Sequence, residues 1–158
     1  MITVVQRVAS ARVTVTGEVV GAIGRGLLLL VGVEQGDTPA DADATAQKVA
    51  ALRLFPDRKP MDRSVAEVGG GCLVVSQFTL AAELRHGNRP DFTAAAAPTV
   101  AEPLYERVAA RLAAAGLPVA TGRFGAAMQV ELANDGPVTV VLTVRGGRVV
   151  PRPVPPSA

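Results

Sequence analysis

The first third of the chain shows two hydrophobic patterns, and both predict β-strands. Residues 2–8 predict a first strand, and residues 12–16 place valines on one face and polar side chains on the other. After a turn at Thr16-Gly17-Glu18, residues 19–23 are expected to pair back as a hairpin. The run at residues 27–31, Leu-Leu-Leu-Leu-Val, has no polar face, so we expect a strand covered on both sides.

Helical spacing of apolar residues appears in two later segments. Thr38 followed by Pro39 favours a helix start, because threonine is a good N-cap and proline suits the first helical position. This first helix should end by Phe55, since Pro56 follows it. A second helix is predicted from about residue 99 to residue 115, with its core face built from Leu104, Val108, Leu112 and Ala115.

Three further segments complete the predicted sheet. Residues 73–78 form a second buried strand, and residues 128–132 and 138–144 alternate in the manner of half-buried strands. Asn134-Asp135-Gly136-Pro137 lies between the last two and has the composition of a turn. Strands therefore precede, separate and follow the helices, which predicts an α/β fold with a mixed, barrel-like sheet and two main helices.

The domain organisation follows from the same pattern. Residues 1–144 are predicted to form one compact domain, which is an ordinary size for a chain of 158 residues. Residues 145–158 are basic and rich in proline and have little to bury. We therefore expect a tail without fixed structure.

Composition narrows the setting in which the protein works. The only cysteine is Cys72, so no disulfide can form within the chain, and a reducing compartment is favoured. Residues 1–10 lack the features of a signal peptide, and the longest apolar run, residues 26–33, is far shorter than the ~20 residues that span a bilayer. We expect a soluble cytoplasmic protein with no membrane association.

The charge of the chain does not identify a binding partner. The net charge is +2, and all basic residues except Lys48 and Lys59 are arginine. Arginine binds phosphate as a planar fork, which suits a nucleic-acid partner. A GC-rich genome explains the same bias, so charge alone does not establish RNA binding.

Conventional catalytic groups are scarce. His86 is the only histidine and lies in a polar loop, and no G-x-S-x-G segment is present to position a serine nucleophile. Cys72 and His86 show no zinc-binding spacing, and Gly69-Gly70-Gly71 lacks the Lys-Ser/Thr of a phosphate-binding loop. We expect no metal and no cofactor. If the chain is an enzyme, its reaction must need modest help, and hydrolysis of an activated ester fits that constraint.

Two segments stand out from the valine- and alanine-rich background. Ser76-Gln77-Phe78-Thr79-Leu80 ends a buried strand with three polar side chains. These side chains either reach solvent at a strand end or form a pocket floor, where Gln77 can donate and accept hydrogen bonds, Thr79 offers a hydroxyl and Phe78 can stack on a base.

The second segment is Asn134-Asp135-Gly136-Pro137-Val138-Thr139. Read alone, Asp-Gly between alternating strands favours a hairpin turn. Pro137, however, supplies no N–H donor where strand pairing should begin. A Gly-Pro bond can also be cis, and a rigid loop of that kind would direct two carbonyl groups outward.

Together these two segments resemble the SQFTL and GPVT motifs of the bacterial and eukaryotic D-aminoacyl-tRNA deacylases. The resemblance extends from Met1 to about Val144, which is nearly the whole chain. It includes further matching segments at Gln6-Arg7-Val8, residues 21–33, Arg89-Pro90-Asp91-Phe92, Thr121-Gly122-Arg123-Phe124 and Met128-Gln129-Val130.

The resemblance implies a homodimer that hydrolyses D-aminoacyl-tRNA, with its active sites at the subunit interface. Ser76 to Leu80 of one subunit would form the pocket for the 3′-terminal aminoacyl-adenosine. Gly136-Pro137, cis in the family, would enter from the other subunit and accept hydrogen bonds from the substrate's α-ammonium. An L side chain would then collide with the Gly-Pro backbone, while a D side chain would project outward. Glycyl-tRNA mischarged on tRNA-Ala would also be cut, since glycine has no side chain.

The resemblance also assigns individual roles. Arg7 corresponds to the arginine that braces the Gly-Pro loop, and Phe78 would help to hold the terminal adenosine. Ser76, Val138 and Thr139 join the substrate-binding set, which is completed by Gly136 and Pro137. Catalysis is assigned to Gln77 and Thr79. Thr79 acts either as nucleophile or as a positioning hydroxyl, and we favour positioning because no general base lies nearby in sequence.

Three alternatives stay open at this point. A related deacylase class has a trans Gly-Pro peptide and relaxed chirality. A general esterase would cleave small acyl esters without RNA. A non-catalytic RNA-binding module is disfavoured by the low net charge and the absence of a dense basic patch.

Overall fold

A mixed seven-stranded sheet forms the centre of the protein, and two helices cover one of its faces. The computed structural model describes residues 1–151. In chain order the elements are β1 (Ile2–Val15), β2 (Glu18–Ile23), β3 (Gly26–Gly32), α1 (Pro39–Ala51), β4 (Arg53–Phe55), β5 (Arg63–Ser64), β6 (Gly71–Ser76), a short 3-10 helix (Phe78–Ala81), α2 (Pro98–Ala114), β7 (Val119–Thr121), β8 (Gln129–Arg145) and β9 (Arg148–Val149).

The strands follow the order β7-β6-β3-β1-β8-β9, and β2 pairs with β1. β6 lies parallel to both β3 and β7, whereas β1 is antiparallel to β2, β3 and β8. Strands β4 and β5 pair with each other outside this sheet. The expectation of an α/β fold with a mixed, curled sheet and two main helices is confirmed.

Both faces of strand β3 are covered along most of its length, as the unbroken leucine run predicts, and only Leu30 is partly exposed. Leu27 and Leu29 point into the larger core, which lies under α1 and α2, and both are fully buried. Leu28 points the opposite way and packs with Leu73 and Val13 in a second core, which β2 and the start of β8 help to enclose. The sheet thus curls around a second layer of side chains, which gives it the form of a half-barrel.

Helix α1 begins after Thr38, as predicted. The backbone N–H and the hydroxyl of Thr38 each donate to Asp41 Oδ2 at 2.8 Å, so this carboxylate secures the first turn. The helix gives way to extended backbone at Leu52, three residues earlier than Phe55, because the chain enters β4 there. Within residues 1–151, neither helix is long and apolar enough to cross a membrane.

A triad of charged residues joins α1 to α2. Asp43 accepts hydrogen bonds from Arg107 at 2.7 and 2.8 Å and from Arg111 at 2.8 and 3.1 Å. The hydrogen bonds from Arg107, followed by those from Arg111, hold the pKa of the Asp43 carboxyl well below its usual range. The pair of helices is therefore fixed by charge on its outer side and by packing on its inner side.

The prediction of a hairpin turn at residues 134–137 is wrong. Strand β8 continues through this segment, because β1 is long enough to pair with it on both sides: Gln6 faces Thr139, and Val8 faces Asn134. A hairpin would need the two halves of β8 to pair with each other, and instead both halves pair with the same neighbour.

The expected tail begins with ordered structure. Arg145 pairs with Arg148 and Val144 pairs with Val149, so β9 folds back on β8 as a hairpin, and the expectation of no fixed structure is wrong there. The N–H of Gly147 donates to Asp41 Oδ1 at 2.9 Å, which attaches this hairpin to α1. The remainder of the predicted tail, residues 152–158, lies outside the described residues.

Candidate functional site

Strand β6 delivers the first polar segment to the edge of a cavity. Ser76 is the last residue of the strand, and the N–H of Gln77 still donates to the carbonyl of Val31 at 2.8 Å. Phe78 then begins the 3-10 helix, so the buried strand ends two residues earlier than residue 78. This change of backbone direction turns the side chains after Ser76 out of the sheet.

Gln77 and Thr79 form a hydrogen-bonded pair. The amide Nε2 of Gln77 donates to Thr79 Oγ1, and Thr79 is exposed. Because the hydroxyl oxygen accepts from Gln77, its own proton is directed elsewhere and can be donated to a ligand. Within residues 1–151, no carboxylate or imidazole contacts this hydroxyl, which favours positioning over nucleophilic attack.

An aromatic pair lies beside this polar pair. Phe78 is 55% exposed, and its ring meets that of Phe92 edge to face, with centroids 5.1 Å apart. Phe92 follows a bridge between Glu83 and Asp91, which closes the intervening loop at its base. The exposed ring of Phe78 is thus held by an aromatic neighbour and leaves a face free for stacking.

A cavity of about 470 Å³ opens next to these residues. It lies between the end of β6, the start of α2 and the segment before β8. Its lining is Val33, Val75, Ser76, Gln77, Phe78, Ala95, Ala96, Pro98, Ala101, Phe124, Gly125, Ala126, Met128 and Val130. Most of these side chains are apolar, so the cavity offers an apolar wall with amide and hydroxyl groups near its mouth.

Sequence reasoning missed two of the larger lining residues as pocket residues. Phe124 packs against Tyr105, with centroids 6.0 Å apart, and the Tyr105 hydroxyl donates to the carbonyl of Val74 at 2.9 Å. Met128 reaches the cavity from the residue just before β8. Neither residue could be assigned to the pocket from sequence, because both are about fifty residues from Ser76. Only the folded sheet brings them to the same cavity.

The second polar segment forms a bulge in β8. Between the pairs Gln6–Thr139 and Val8–Asn134, the four residues 135–138 of β8 face Arg7 alone on β1. Gly136 has φ of 105°, a backbone conformation that favours glycine. The strand ladder therefore resumes on both sides while the Gly136-Pro137 dipeptide projects from it, and both of these residues are exposed.

Arg7 fills the inside of this bulge. It is buried, its Nε donates to the Asp135 carbonyl at 3.0 Å, and it pairs with the Asp135 carboxylate at 3.3 Å. Its Nη1 donates to the carbonyl of Leu54 at 2.6 Å. A Cβ built on Gly136 would come within 2.2 Å of Arg7 Nη2. The Arg7 side chain thus packs against the inner side of the bulge, in contact with Asp135 and next to Gly136.

The expectation of a cis Gly136–Pro137 peptide is wrong for this structure. No peptide bond within residues 1–151 is cis. The chain is turned outward by the positive φ of Gly136 and by the bonds from Arg7 to Asp135, so the bulge forms with a trans peptide.

The two segments do not meet within one chain. Ser76 faces Val31 on β3, Val31 faces Thr3 on β1, and β8 is the next strand, so three strand spacings separate Ser76 from β8. The bulge lies opposite Arg7, four residues along β1 from Thr3. With ~4.8 Å between strands and ~3.3 Å per residue, the separation along the sheet is roughly 20 Å.

Other reactive side chains stay away from the cavity. His86 is exposed in its loop and is not among the lining residues. Cys72 is fully buried in the core, where burial raises the pKa of its thiol to about 12. Residues 1–151 contain no group of three or more His, Cys, Asp or Glu side chains arranged to hold a metal ion. The polar side chains that line the cavity are the hydroxyl of Ser76 and the amide of Gln77, both neutral, and Thr79 lies beside them without lining it.

Fold and site together define a class of small α/β proteins in which a curled mixed sheet carries an apolar pocket with neutral polar groups at its mouth. The family model described as D-Tyr-tRNA(Tyr) deacylase matches residues 4–143, so the chain belongs to this family.

Relatives carry the same family name, and two solved structures share the fold. The chain is 57% identical to a D-aminoacyl-tRNA deacylase of Ruegeria pomeroyi, with 89% of this chain and 97% of the relative covered. It is 55% identical to a D-aminoacyl-tRNA deacylase of Aeromonas hydrophila, with 91% and 100% covered. A structure titled c-Myc DNA Unwinding Element Binding Protein is 40% identical with a TM-score of 0.86, covering 92% of this chain and 100% of that chain. A probable eukaryotic D-amino acid tRNA deacylase shares the fold at 19% identity and a TM-score of 0.72, covering 89% and 97%.

Proposed function

We propose that this protein hydrolyses the ester bond of D-aminoacyl-tRNA, releases the free D-amino acid and tRNA, and rejects L-aminoacyl-tRNA. The observation that carries the proposal is Gln77, which lines an apolar cavity and donates a hydrogen bond to the neighbouring Thr79 hydroxyl, in a chain of the deacylase family. The ester is already activated, so the neutral groups of this site are sufficient for the reaction. Aminoacyl-tRNA is a cytoplasmic substrate, and we therefore place the enzyme there.

In the reaction, water attacks the ester carbonyl carbon, the bond from that carbon to the ribose oxygen breaks, and the ribose oxygen takes up a proton. The Thr79 hydroxyl, oriented by Gln77, positions the substrate. The first N–H groups of the 3-10 helix, at Phe78 and Thr79, have no acceptor within that helix and can stabilise the oxyanion. Phe78 stacks on the terminal adenosine beside the Ser76 end of the cavity.

Chirality is assigned to the bulge of a second subunit, and the sheet surface supports this. Side chains paired across strands share a face, so Val75, Leu30, Val4 and Val141 form one apolar row from the cavity to β8. Val141 is 62% exposed, and Val4 and Leu30 are partly exposed. Thr139, two residues from Val141, lies on the same face as this row.

This face therefore has the cavity at one side, the bulge at the other and an apolar row between them. A two-fold axis through the middle of the row would set the cavity of one subunit opposite the Gly136-Pro137 bulge of its partner. The outward carbonyl groups of the bulge would then accept hydrogen bonds from the substrate's α-ammonium. An L side chain would meet the bulge backbone, a D side chain would point away, and glycyl-tRNA mischarged on tRNA-Ala would be accepted.

The test is a deacylation time course on matched D- and L-aminoacyl-tRNA, with glycyl-tRNA as a third substrate. We expect fast release from the D-substrate and from glycyl-tRNA and slow release from the L-substrate. Equal rates on the two enantiomers, or no release from either, would contradict the proposal.

Mixed dimers test whether each site uses two subunits. A Phe78→Ala subunit keeps its bulge, and a Gly136→Ala subunit keeps its cavity, so one heterodimer contains one intact site. We expect each variant alone to be impaired and a co-refolded mixture to regain activity. A mixture no more active than its components would exclude a shared site.

A deacylase with relaxed chirality is the second candidate, because the Gly136–Pro137 peptide is trans in this structure. It predicts appreciable release from L-aminoacyl-tRNA in the same time course. The ratio of the D and L rates decides between the two.

A further inference from the structure

The bulge is closed at its neck by a side chain that has no role in the proposed function so far. Asn134 Nδ2 donates to Thr139 Oγ1 at 3.1 Å, and Asn134 Oδ1 accepts from the N–H of Val138 at 3.3 Å. The side-chain amide of Asn134 thus links the start of the bulge to Val138 and Thr139 at its end. Gln6 supports the same point from β1, since its Nε2 donates to Thr139 Oγ1 at 3.3 Å.

These contacts complete a two-sided support for the Gly-Pro dipeptide. Arg7 holds Asp135 from inside the bulge, while Asn134 fixes Val138 and Thr139 at its open end. Among the described residues, no side chain forms a hydrogen bond with the backbone of Gly136 or Pro137, the two residues at the tip of the bulge. The position of the dipeptide is therefore set by the two ends of a short closed segment.

The strand pairing indicates that the position of the bulge depends on the Asn134 side chain more than the sheet itself does. The backbones of β1 and β8 pair over residues 2–6 of β1 on one side of the bulge and over residues 10–14 on the other, and this pairing does not use the Asn134 side chain. Loss of the amide would therefore free the bulge without disrupting the sheet. A discrimination that depends on collision with the bulge backbone needs that backbone to be rigid, because a bulge that can retreat accommodates the wrong enantiomer.

We propose that Asn134 is a positioning residue that determines enantiomer selectivity: by closing the neck of the bulge it holds Gly136-Pro137 where an L side chain would collide. The inference rests on the proposed function, and Asn134 touches neither the substrate nor the reacting atoms. It acts through the dipeptide that it positions.

The test compares two substitutions at this position with one on the same strand. Asn134→Leu has similar size and makes neither hydrogen bond. Asn134→Asp keeps an oxygen for the Val138 N–H, and the Thr139 hydroxyl can turn to donate to the second carboxylate oxygen. Gln129→Leu makes the same amide-to-leucine change at an exposed position of β8 that has no side-chain hydrogen bond among the described residues. For each variant kcat/KM is measured on D- and L-aminoacyl-tRNA, together with the melting temperature.

We expect Asn134→Leu to lower the D-to-L ratio of kcat/KM about tenfold, mainly through faster L-substrate cleavage, which corresponds to loss of one or two hydrogen bonds. Asn134→Asp should keep most of the wild-type ratio, and Gln129→Leu all of it. A ratio for Asn134→Leu equal to wild type, whether or not the protein melts earlier, would overturn the inference. A wild-type enzyme without D preference would instead overturn the proposed function.

Discussion

At the scale of single residues, Gly136 combines two constraints that disfavour any side chain. Its φ of 105° costs other residues about 1–2 kcal/mol, and a Cβ there would lie 2.2 Å from Arg7 Nη2. Arg7 cannot easily retreat, since its other atoms hold Asp135 and Leu54. We expect Gly136→Ala to lower the melting temperature and to move the bulge.

Thermal unfolding and the D-to-L rate ratio measure these two effects. Gly24→Ala is the matched control, because a Cβ at that exposed glycine meets nothing within 4 Å. If Gly136→Ala had the same melting temperature and rate ratio as Gly24→Ala, the bulge would be able to accommodate a side chain at residue 136, contrary to this expectation.

Thr79 distinguishes positioning from nucleophilic attack. If its hydroxyl only orients the substrate, Thr79→Ala should reduce single-turnover cleavage by about 10- to 100-fold and leave a measurable rate. Thr79→Ser, which keeps the hydroxyl that Gln77 contacts, should restore most of the rate. Complete loss in Thr79→Ala, with tRNA binding intact, would show that Thr79 is the nucleophile.

At the scale of elements, the ion-paired Asp43 predicts how the helix pair responds to acid. Its folded-state pKa lies below the ordinary value of 3.8, so its stabilising effect is complete above about pH 4 and is lost as the pH falls further through the folded-state pKa. Asp43→Asn should therefore melt a few degrees below wild type at pH 7, and the difference should shrink at pH 2.

Melting curves at both pH values, with Glu102→Gln as control, test this expectation. Glu102 is exposed on α2 and has no ion pair within residues 1–151. A difference between Asp43→Asn and wild type that persists unchanged at pH 2 would point to packing as its cause.

The elements that sequence predicted well are those that local pattern determines. Residues 27–31 have no polar face, and Thr38-Pro39 carries its own start signal, so both were identified correctly. The bulge at residues 135–138 was not, because Asn-Asp-Gly is a local turn signal, whereas the outcome depends on a partner strand more than a hundred residues away. β9 was missed for a related reason, since a two-residue strand gains its stability from β8 and from Asp41.

At the scale of the whole molecule, the sequence singled out Ser76 and Gln77, which line the cavity, but it did not predict the opposite wall of that cavity. Ser76 and Gln77 are adjacent in sequence and stand out from their surroundings. Phe124 and Met128 reach the same cavity only when the sheet curls and β7 lies beside β6. The side of the cavity formed by Phe124 and Met128 depends on long-range packing, which cannot be predicted from one sequence by local pattern.

The apolar row predicts how assembly and activity are linked. A charge at Val141, at the β8 end of the apolar row, should be well tolerated in a monomer, where this side chain is 62% exposed, and should prevent two copies from packing. We expect the Val141→Lys variant to sediment as a folded monomer that still melts cooperatively. We expect it to lose deacylation activity.

Val19→Lys is the control, because Val19 is 51% exposed on β2, away from the row. Analytical ultracentrifugation and the deacylation assay on both variants are sufficient. An active Val141→Lys monomer would separate catalysis from assembly.

The interruption of β8 has a further consequence for how such an enzyme can change over generations. Strand β1 pairs with β8 on either side of residues 135–138, with the register shifted across the bulge, so a change within this stretch acts on the bulge before it reaches the rest of the sheet. The segment proposed to discriminate between substrates is thereby partly separated from the strand pairing that keeps the chain folded. Selection can act on the tolerance of the enzyme for new acyl groups while leaving its scaffold almost untouched.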